Sequence, residues 1–565
     1  MSEKFLCIHG HFYQPPRENP WLEEVEVQDS AAPFHDWNAR ISAECYGPNS
    51  ASRRLTHGRR ILEIVSNYTN MSFNFGPTLL AWMEREAPDV YRRVLEADRQ
   101  SLKLRNGHGN AIAQVYNHVI LPLANQNDKV TQVLWGIRDF QHRFGRDPEG
   151  MWLAEAAVDT ATLCVLADHG IKFTILSPFQ AARVREPGGD WVDVSGGRID
   201  PTRGYKVTLP DGRTMALFFY DGPIAKSLAF ENGLEDSGRL LDRLAGGYDG
   251  ARKHPQLLNI ATDGETFGHH RKQGDETLAG VFARAHERGM TLTNYGEYLE
   301  RFPPTAEVEI IEASSWSCAH GIERWRSNCG CKCSGDPAWT QGWRAPLRGA
   351  LDLLREHLSE QFEEVGGRLF QDPWAARNAY IQVVLDRRPE VIDDFLQSVQ
   401  SHPLTRDEQV TALKLLECQR HAMLMYTSCG WFFSEISGLE TVQILKYAGR
   451  CIQLAAELGE PNLEAIFLEA LERAPSNLPE LGNGAVVYQR YVKPSVISMD
   501  AVAAHLAIAG IFDEKAREGR VFCFEVNVPS WRHETVGPAT LGVGHMKLTS
   551  VTTREQIDVG YAVLH

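Results

Sequence analysis

The stretch GMWLAEAAVD, residues 150–159, decides both the fold and the chemistry of this chain. Its apolar run is typical of a buried strand, and the run ends on the carboxylate of Glu155. A second stretch, LNIATDGETFGHH at residues 258–270, passes in the same way from an apolar run to Asp263 and Glu265. Two strands that each carry a carboxylate at the C-terminal tip predict an active site built on a carboxylate pair.

Short apolar runs recur through the first half of the chain, and longer amphipathic stretches separate them. This alternation is typical of a parallel sheet with crossover helices. The runs are residues 5–9, 71–75, 102–106, 151–154, 173–176, 215–220 and 257–261, with a candidate eighth near 290–292. Polar residues follow each run at once, as they do at the C-terminal strand ends of a barrel. We predict an α/β fold with a seven-stranded β/α barrel; an open doubly wound sheet is the alternative.

The pattern changes after the barrel. Residues 203–213, with Pro-Asp-Gly at the turn, predict a hairpin before the sixth strand. Apolar residues at helical spacing begin at Leu347, and strand-like runs such as VVYQRYV and VFCFEVNV return after Asn483. We predict a barrel over 1–305, a Cys- and Trp-rich junction over 306–345, a helical domain over 346–480 that packs on the barrel and its groove, and a β-rich domain over 481–565. The last strand-like run reaches His565, which fits a truncated chain as well as a natural end.

Composition excludes several classes of protein. The net charge of −15 argues against nucleic acid or an anionic membrane surface as the main partner, and a neutral substrate is compatible with it. No apolar run reaches the roughly 18 residues of a membrane span, and the first residues show no charged-then-apolar leader. The eleven cysteines lack a disulfide-framework spacing. We therefore expect a cytoplasmic protein; the oligomeric state stays unknown.

Two carboxylates on strand tips can cleave a glycosidic bond, because one attacks the anomeric carbon and the other protonates the leaving oxygen. Glu155 suits the nucleophile, since the Trp-Leu strand holds it and little near it in sequence would neutralise it. Asp263 suits the acid/base. Glu265, two residues on, points to the same side and can tune the proton balance by like-charge coupling. A helix N-cap or a salt bridge is the ordinary explanation for any one such carboxylate taken alone.

Other polar and aromatic residues are candidates for binding substrate. His9 and His11 face the same side of the first strand, where they can be metal ligands or hydrogen-bond donors to a sugar, although a structural role explains them equally well. His108 lies between glycines, where backbone and ligand can approach closely, although a plain turn explains it nearly as well. We expect one of His269 and His270 to reach the cavity. The predicted substrate-binding residues are His9, His11, His108, Trp152, Asp221, Glu265, His269, Trp316 and Trp431.

These motifs resemble glycoside hydrolase family 57. GMWLAE, TDGETFGHH, the His-x-His near the N-terminus with its later Gln-Pro, and the Gly-rich stretch at 106–110 carry the resemblance. It implies a (β/α)7 barrel followed by helices, and retaining action on α-glucans as α-amylase, 4-α-glucanotransferase, branching enzyme or amylopullulanase. It also implies the nucleophile role for Glu155 and the acid/base role for Asp263.

The chain departs from the family pattern at two places. Two residues separate His11 from Gln14, where the family's first motif runs His-x-His-Gln-Pro. Residues 427–433 resemble the late Trp-containing motif, but Gly430 stands before Trp431 where a common form has Asp. The resemblance still gives Trp431 a place as a sugar platform. It covers essentially the whole chain and implies a subgroup with an additional C-terminal domain of unknown function.

A thiol-rich segment in the junction is left open by its sequence. Four cysteines and His320 lie within residues 318–333, and thiolates and imidazole are ligands for zinc and iron–sulfur clusters. The segment lacks a Cys-x-x-Cys knuckle, and successive Cys-x-Cys steps close poorly around one tetrahedral ion. We therefore expect no metal ligand and no cofactor here, and instead a packed loop near the groove that includes Trp316, His320, Glu323 and Trp325.

Three functions follow from these residues. The first, which we expect, is a retaining hydrolase or transferase whose partner is an α-glucan such as maltooligosaccharide, glycogen or starch. The second is a metal-dependent polysaccharide deacetylase or amidohydrolase, in which His9, His11 and Asp263 hold a metal that activates water. The third is a glycan-binding protein that keeps the barrel without catalysis. Neither nucleic acid nor a membrane is expected as a partner.

Overall fold

A computed structural model describes residues 3–55, 60–333 and 335–565. The chain forms two compact units. The first contains Met1–Pro16 and Val27–Arg324, and the second contains Arg17–Glu26 and Trp325–His565. The second unit thus includes a short segment from near the N-terminus, which the predicted domain boundaries do not anticipate.

Seven parallel strands form the centre of the first unit. They are β1 (Lys4–Phe12), β2 (Ser72–Phe75), β3 (Ala113–Gln114), β4 (Met151–Trp152), β5 (Phe173–Leu176), β6 (Thr214–Phe219) and β7 (Gln256–Asp263). β1 pairs with β2 and β7, β3 with β4, and β5 with β6. Single bridges continue the circuit from β2 to β3 and from β4 to β5. The N–H of Asp221 donates to the carbonyl of Asn259 at 2.8 Å and links the end of β6 to β7.

This circuit confirms the predicted (β/α)7 barrel. Parallel strands are buried on both faces, which is why they read as apolar runs. Between the strands lie helices Pro77–Glu86, Pro88–Leu104, Gln126–Phe144, Thr160–Asp168, Gly222–Phe230 and Ser237–Ala245, and Gly274–Arg284 and Tyr295–Arg301 follow β7. The candidate eighth strand, Thr291–Leu292, pairs with the start of β1 and lies outside the circuit.

An insertion extends the sheet beside β6. The predicted hairpin is present, with Gly204–Thr208 antiparallel to β6. Strands Ala181–Arg185, Trp191–Asp193 and Glu307–Ile310 complete a six-stranded sheet with β5 and β6. Two short helices, Trp37–Ile41 and Gly47–Ser50, and the strand pair Ser52–Leu55 and Ile61–Val65 precede β2.

The prediction of a third strand at 102–106 was wrong. Helix Pro88–Leu104 runs through most of this stretch, and its buried residues Tyr91, Val94, Ala97 and Asp98 follow helical spacing. The apolar residues that looked like a strand form its last turn. The third barrel strand is β3, and it begins after His108.

The second unit is helical and then β-rich. Its helices are Arg344–Leu369, Pro373–Ala379, Ile381–Leu385, Pro389–Val399, Arg406–Leu424, Cys429–Phe432, Leu439–Glu457, Leu463–Leu471, Gly484–Val487 and Met499–Phe512. Strands Glu518–Val521, Phe524–Val536, Ala539–Ser550 and Gln556–Leu564 form an antiparallel sheet in chain order. Val502 and Leu506 of the last helix pack on Met546 and Leu548 of this sheet.

The run VVYQRYV, predicted as a strand, is helical. Helix Gly484–Val487 continues into the wider helical turn Tyr488–Val492, and the side chain of Asn483 caps the start by accepting the N–H of Val486 at 3.1 Å. Burial of Tyr488 and Val492, four residues apart, favours the helix. The β-rich part therefore begins at Glu518, not near residue 481.

The described residues include no single helix with the length and apolarity to cross a membrane; one bent pair, Gly484–Ser495 with Met499–Phe512, passes that test only when taken together.

A glycine pair tests the packing of the barrel. A Cβ at Gly136, in helix Gln126–Phe144, would lie 2.2 Å from the carbonyl oxygen of Gln114 in β3. We expect Gly136→Ala to lower the free energy of unfolding by about 1–3 kcal/mol or more, because strand backbone cannot move aside easily. The matched control Gly349→Ala meets no atom within 4 Å and should raise stability by up to about 1 kcal/mol. Thermal unfolding measures both; equal shifts would contradict the close approach.

Candidate active site

The register of β1 gathers polar side chains at one end of the barrel. His9 lies opposite Ser72 of β2, and His11 lies opposite Asn74 of β2 and Asp263 of β7. Because alternate residues of a strand face the same side, both histidines face the side on which Asn74 and Asp263 lie. The structure thus brings His9, His11 and Asp263 together, as the sequence predicted.

A directed chain of hydrogen bonds fixes both histidines. His9 contacts Ser72 Oγ through Nδ1 and Asn74 Oδ1 through Nε2, each at 3.0 Å. Since Asn74 Oδ1 only accepts, the proton of His9 is assigned to Nε2. Asn74 Nδ2 donates to His11 Nδ1 at 2.9 Å, which leaves the His11 proton on Nε2, 3.2 Å from His118 Nε2. Burial lowers the pKa of His9 and of His118 to about 3 and also lowers that of His11, so all three are neutral.

Two tryptophans lie against this chain. Trp152 is fully buried and stacks on His9 and His11, with ring centroids 5.0 Å apart in both pairs. Trp316 meets Trp152 edge to face at 5.0 Å and is only half-buried. Trp152 therefore supports the histidines from behind, whereas Trp316 keeps part of its ring exposed, and its predicted contact with substrate stays a prediction.

Glu155 follows β4 in a strained turn. Its backbone has φ 56° and ψ 23°, in the left-handed region, which costs a residue with a Cβ of order 1 kcal/mol. The carboxylate is 9% exposed and accepts hydrogen bonds from Trp316 Nε1 at 3.1 Å and from Ser317 Oγ at 2.5 Å. Burial raises the pKa of Glu155, and the two donors and Arg324 partly offset that rise. The turn thus presents a carboxylate that is hydrogen-bonded and weakly solvated.

Asp263 ends β7 and faces the open mouth of the barrel. Its side chain reaches solvent, yet protein surrounds the recess in which it lies. Loss of hydration in this recess, together with the negative charge of Glu155, raises the pKa of Asp263 to about 7. Glu155 and Asp263 are therefore close enough to interact electrostatically, and their environments suit them to different protonation states.

Glu265 lies buried beside Asp263. Tyr46 Oη donates to Glu265 Oε1 at 2.5 Å, and the backbone N–H of Tyr13 donates to the same oxygen at 3.1 Å. Burial, followed by the charge of Asp263, raises the pKa of Glu265 to about 8 against the opposing effect of these donors. Asp263 thus helps to raise the pKa of Glu265, which favours the protonated form of Glu265 at neutral pH. The raised pKa of Asp263 itself comes from burial and Glu155, so the predicted tuning of Asp263 by Glu265 stays a prediction.

Two predicted substrate-binding residues do not have the surroundings that their predicted roles require. His108 precedes β3 and so lies at the N-terminal end of the strands, where it bonds Glu149 at 2.8 Å and Glu300 at 3.0 Å. Trp431 is fully buried in the second unit, stacks on Tyr426 and donates to the carbonyl of Arg344 at 3.3 Å. The role of His108 and the sugar platform at Trp431 were wrong, the first because of the misplaced third strand.

Two others are held by structural contacts. Asp221 caps helix Gly222–Phe230 by accepting the N–H of Ile224 at 2.9 Å, which is the ordinary role of a carboxylate at such a position. His269 pairs with Glu44, and its ring contacts Trp37. Their predicted contact with substrate stays a prediction.

Several site residues were not predicted. Asn74 and Gln114, joined at 2.8 Å, belong to β2 and β3, and His118 follows β3 by four residues. A correct third strand would have pointed to Gln114 and His118 as tip residues. Ser317 and Tyr46 reach the carboxylates from parts of the chain that are distant in sequence, and no spacing in the sequence signals them.

The histidines do not form a metal site with Asp263. Both nitrogens of His9 and of His11 contact protein groups. In the part of the chain that the structure describes, one cluster of side chains has the spacing of a metal site, and it includes neither histidine nor Asp263. The geometry therefore does not favour the deacetylase alternative.

Comparison with known protein families agrees with this site. Residues 9–311 match the family described as "Glycosyl hydrolase family 57", and residues 339–565 match a "Domain of unknown function (DUF3536)". The first match spans more than half of the chain. The chain belongs to glycosyl hydrolase family 57. Glu155 and Asp263 both lie inside the matched residues.

Relatives named for their activities align with only part of this chain. Alpha-amylase 1 of Dictyoglomus thermophilum is 23% identical over 252 residues, which are 43% of this chain and 33% of that protein. A 4-alpha-glucanotransferase of Thermococcus litoralis is 21% identical over 284 residues, 46% of this chain and 38% of that enzyme. The chain thus spans about a third of the length of these relatives.

A solved structure extends the likeness in fold. An exo-type maltose-forming amylase from Pyrococcus sp. ST04 superposes with a TM-score of 0.65 at 16% identity, covering 89% of this chain and 94% of that one. At this identity the likeness concerns the fold alone, and it supports the barrel with its following helices.

The protonation of Glu265 gives a testable prediction. Because Glu265 is neutral at pH 7, the isosteric Glu265→Gln keeps an oxygen for Tyr46 and Tyr13 without removing a charge. We expect activity within a few-fold of wild type, whereas Glu265→Ala should lose roughly tenfold or more, since two buried donors lose their acceptor. Steady-state kinetics on a maltooligosaccharide measures both variants. A loss in Glu265→Gln as large as in Glu265→Ala would show that the anion is needed.

Proposed function

We propose that this protein is a retaining glycoside hydrolase or transglycosylase that acts on α-glucans by double displacement. The interacting pair of carboxyls carries the proposal: Glu155 is hydrogen-bonded at the tip of β4, and Asp263 at the tip of β7 has a pKa near neutrality. The relatives named α-amylase and 4-α-glucanotransferase support an α-glucan as the substrate.

In the first step, protonated Asp263 gives its proton to the glycosidic oxygen. The Glu155 carboxylate attacks the anomeric carbon as the carbon–oxygen bond breaks, and a glycosyl ester forms. In the second step, Asp263, now a carboxylate, takes a proton from water or from a sugar hydroxyl. That oxygen attacks the anomeric carbon and releases Glu155, so configuration is retained.

The electrostatic coupling assists this change of role. When Glu155 becomes an ester, it loses the negative charge that helps to raise the pKa of Asp263. The pKa of Asp263 then falls, which favours its release of a proton in the first step and its carboxylate form, the base, in the second. Trp316 and Ser317 stabilise the Glu155 carboxylate as it leaves.

Water and sugar acceptors compete for the same glycosyl ester. Sizing the products from one pure maltooligosaccharide separates the outcomes, since only transfer yields chains longer than the substrate. We further propose a cytoplasmic α-glucan such as glycogen. The eleven cysteines support this compartment because they lack the spacing of a disulfide framework, which suits a reducing environment.

Two substitutions test the assigned roles. Glu155→Gln should reduce cleavage of maltooligosaccharides below detection, because an amide cannot form the glycosyl ester. Asp263→Asn should lower kcat by roughly 10²–10⁴-fold. The matched control Glu300→Gln, an exposed carboxylate that contacts His108 at the other end of the barrel, should leave kcat unchanged. Activity that survives in folded Glu155→Gln would contradict the proposal.

The pH profile of kcat/KM should be bell-shaped. Activity falls on the acid side as Glu155 gains a proton, at a pH above that of an ordinary glutamate, because burial raises the pKa of Glu155. It falls on the alkaline side as pH rises through about 7, where Asp263 loses the proton that it must donate. In Asp263→Asn the residual activity should lack this alkaline limb. If the alkaline limb persists in this variant, a group other than Asp263 causes it.

A further inference from the structure

Four potential metal ligands converge within residues 318–331. One donor atom from each of Cys318, His320, Cys329 and Cys331 lies within 4.8 Å of the other three. Cys318 is buried, Cys329 and Cys331 are partly buried, and His320 is exposed, so an ion can enter from solvent. The segment lies between the two family matches, at 9–311 and 339–565, and neither includes it.

We propose that this segment binds one zinc ion through three thiolates and one imidazole. Cys₃His is a donor set of structural zinc sites, and four protein ligands leave no position for a reacting water. In a tetrahedral zinc–thiolate site, neighbouring sulfurs lie about 3.8 Å apart, as Zn–S bonds of about 2.3 Å require. The present spacing of at most 4.8 Å therefore needs only a small contraction.

The spacing of the cysteines along the chain predicts no metal ligand here, whereas the fold brings together donors from two separate steps. Successive Cys-x-Cys steps from residue 329 to residue 333 cannot readily close on one ion, and the structure uses only the first of them. Cys333 is exposed and contacts the carbonyl of Phe432 at 3.7 Å. The remaining ligands come from the Cys-x-His step at residues 318–320, which the chain folds back to meet Cys329 and Cys331.

A single ion fits this spacing better than an iron–sulfur cluster. The ligands of a cluster bind different irons and so spread farther apart than the ligands of one ion. Binding of zinc would also remove the protons of the three thiols and hold them as thiolates.

The ion would fix the loop that holds Glu155. Ser317, which donates to the Glu155 carboxylate at 2.5 Å, directly precedes Cys318. The carbonyl of Ser317 accepts from Arg324 Nη2 at 3.0 Å, and the carbonyl of Cys318 accepts the N–H of Gly321 at 3.1 Å. Zinc on Cys318 and His320 would thus act as a positioning element for Trp316 and Ser317, a consequence that rests on the proposed function, whereas the binding of zinc does not.

Cobalt substitution in the full chain tests the site without measuring activity. Wild-type protein stripped with a chelator should bind about one Co²⁺ and show the charge-transfer absorption of cobalt thiolate with the visible bands of a tetrahedral ion. Cys331→Ser should lose most of this absorption, and the matched control Cys333→Ser should keep it. His320→Cys should retain binding with stronger charge transfer. Circular dichroism checks that each variant is folded.

Alkylation of the cysteines in wild-type protein tests the site even if a variant fails to fold. In wild-type protein, zinc should protect Cys329 and Cys331 from an alkylating reagent at least tenfold relative to the stripped protein, while Cys333 reacts at the same rate in both. The proposal would be overturned if wild-type protein showed no cobalt–thiolate absorption, or if Cys331→Ser showed the same absorption as wild type. Equal alkylation with and without zinc, or an iron–sulfur cluster in the purified protein, would also overturn it. None of these results depends on the roles of Glu155 and Asp263.

Discussion

The register of β1 against β2 and β7 is the constraint on which the site depends. It places His11 beside Asn74 on one side and beside Asp263 on the other. A slip by one residue would turn both histidines away from the tips and break the hydrogen bonds that join them through Asn74. Burial of β1 on both faces makes such a slip costly, since apolar side chains would exchange places with imidazoles.

Burial also sets the charge of the site. His9, His11 and His118 stay neutral because each is desolvated by burial. A protonated His11 would stabilise the ionised form of Asp263 and lower its pKa. Neutral histidines therefore help to keep Asp263 protonated, as an acid that must act near neutral pH requires. Glu155 differs because two donors from residues 316 and 317 reach its carboxylate.

Much of this arrangement could be predicted from local sequence. The strands that lead to Glu155 and Asp263 are continuous apolar runs with polar tips. The positions of these strands, and a site built on the two carboxylates, could therefore be predicted directly. The third strand could not be found in this way, because β3 is only two residues long and Leu102 and Leu104 of the preceding helix alternate with polar residues as in a strand. That error placed His108 at the wrong end of the barrel and hid Gln114 and His118.

Long-range contacts account for the other differences. Ser317 and Trp316 reach Glu155 from a loop about 160 residues later, and Tyr46 reaches Glu265 from a helical turn far earlier in the chain. No period or spacing encodes such contacts. The burial of Trp431 depends on its packing with Tyr426 and Arg348, which a motif of the same composition does not reveal.

The most direct test of the central claim is to trap the glycosyl ester and find its position. The full chain is incubated with a fluorinated α-glucosyl fluoride, whose second fluorine slows hydrolysis of the ester, and its peptides are analysed by mass spectrometry. We predict one added glycosyl unit on the peptide that contains residues 150–159, attached to Glu155. A glycosyl unit on any other carboxylate, or turnover of the reagent with inversion and no trapped ester, would contradict the account.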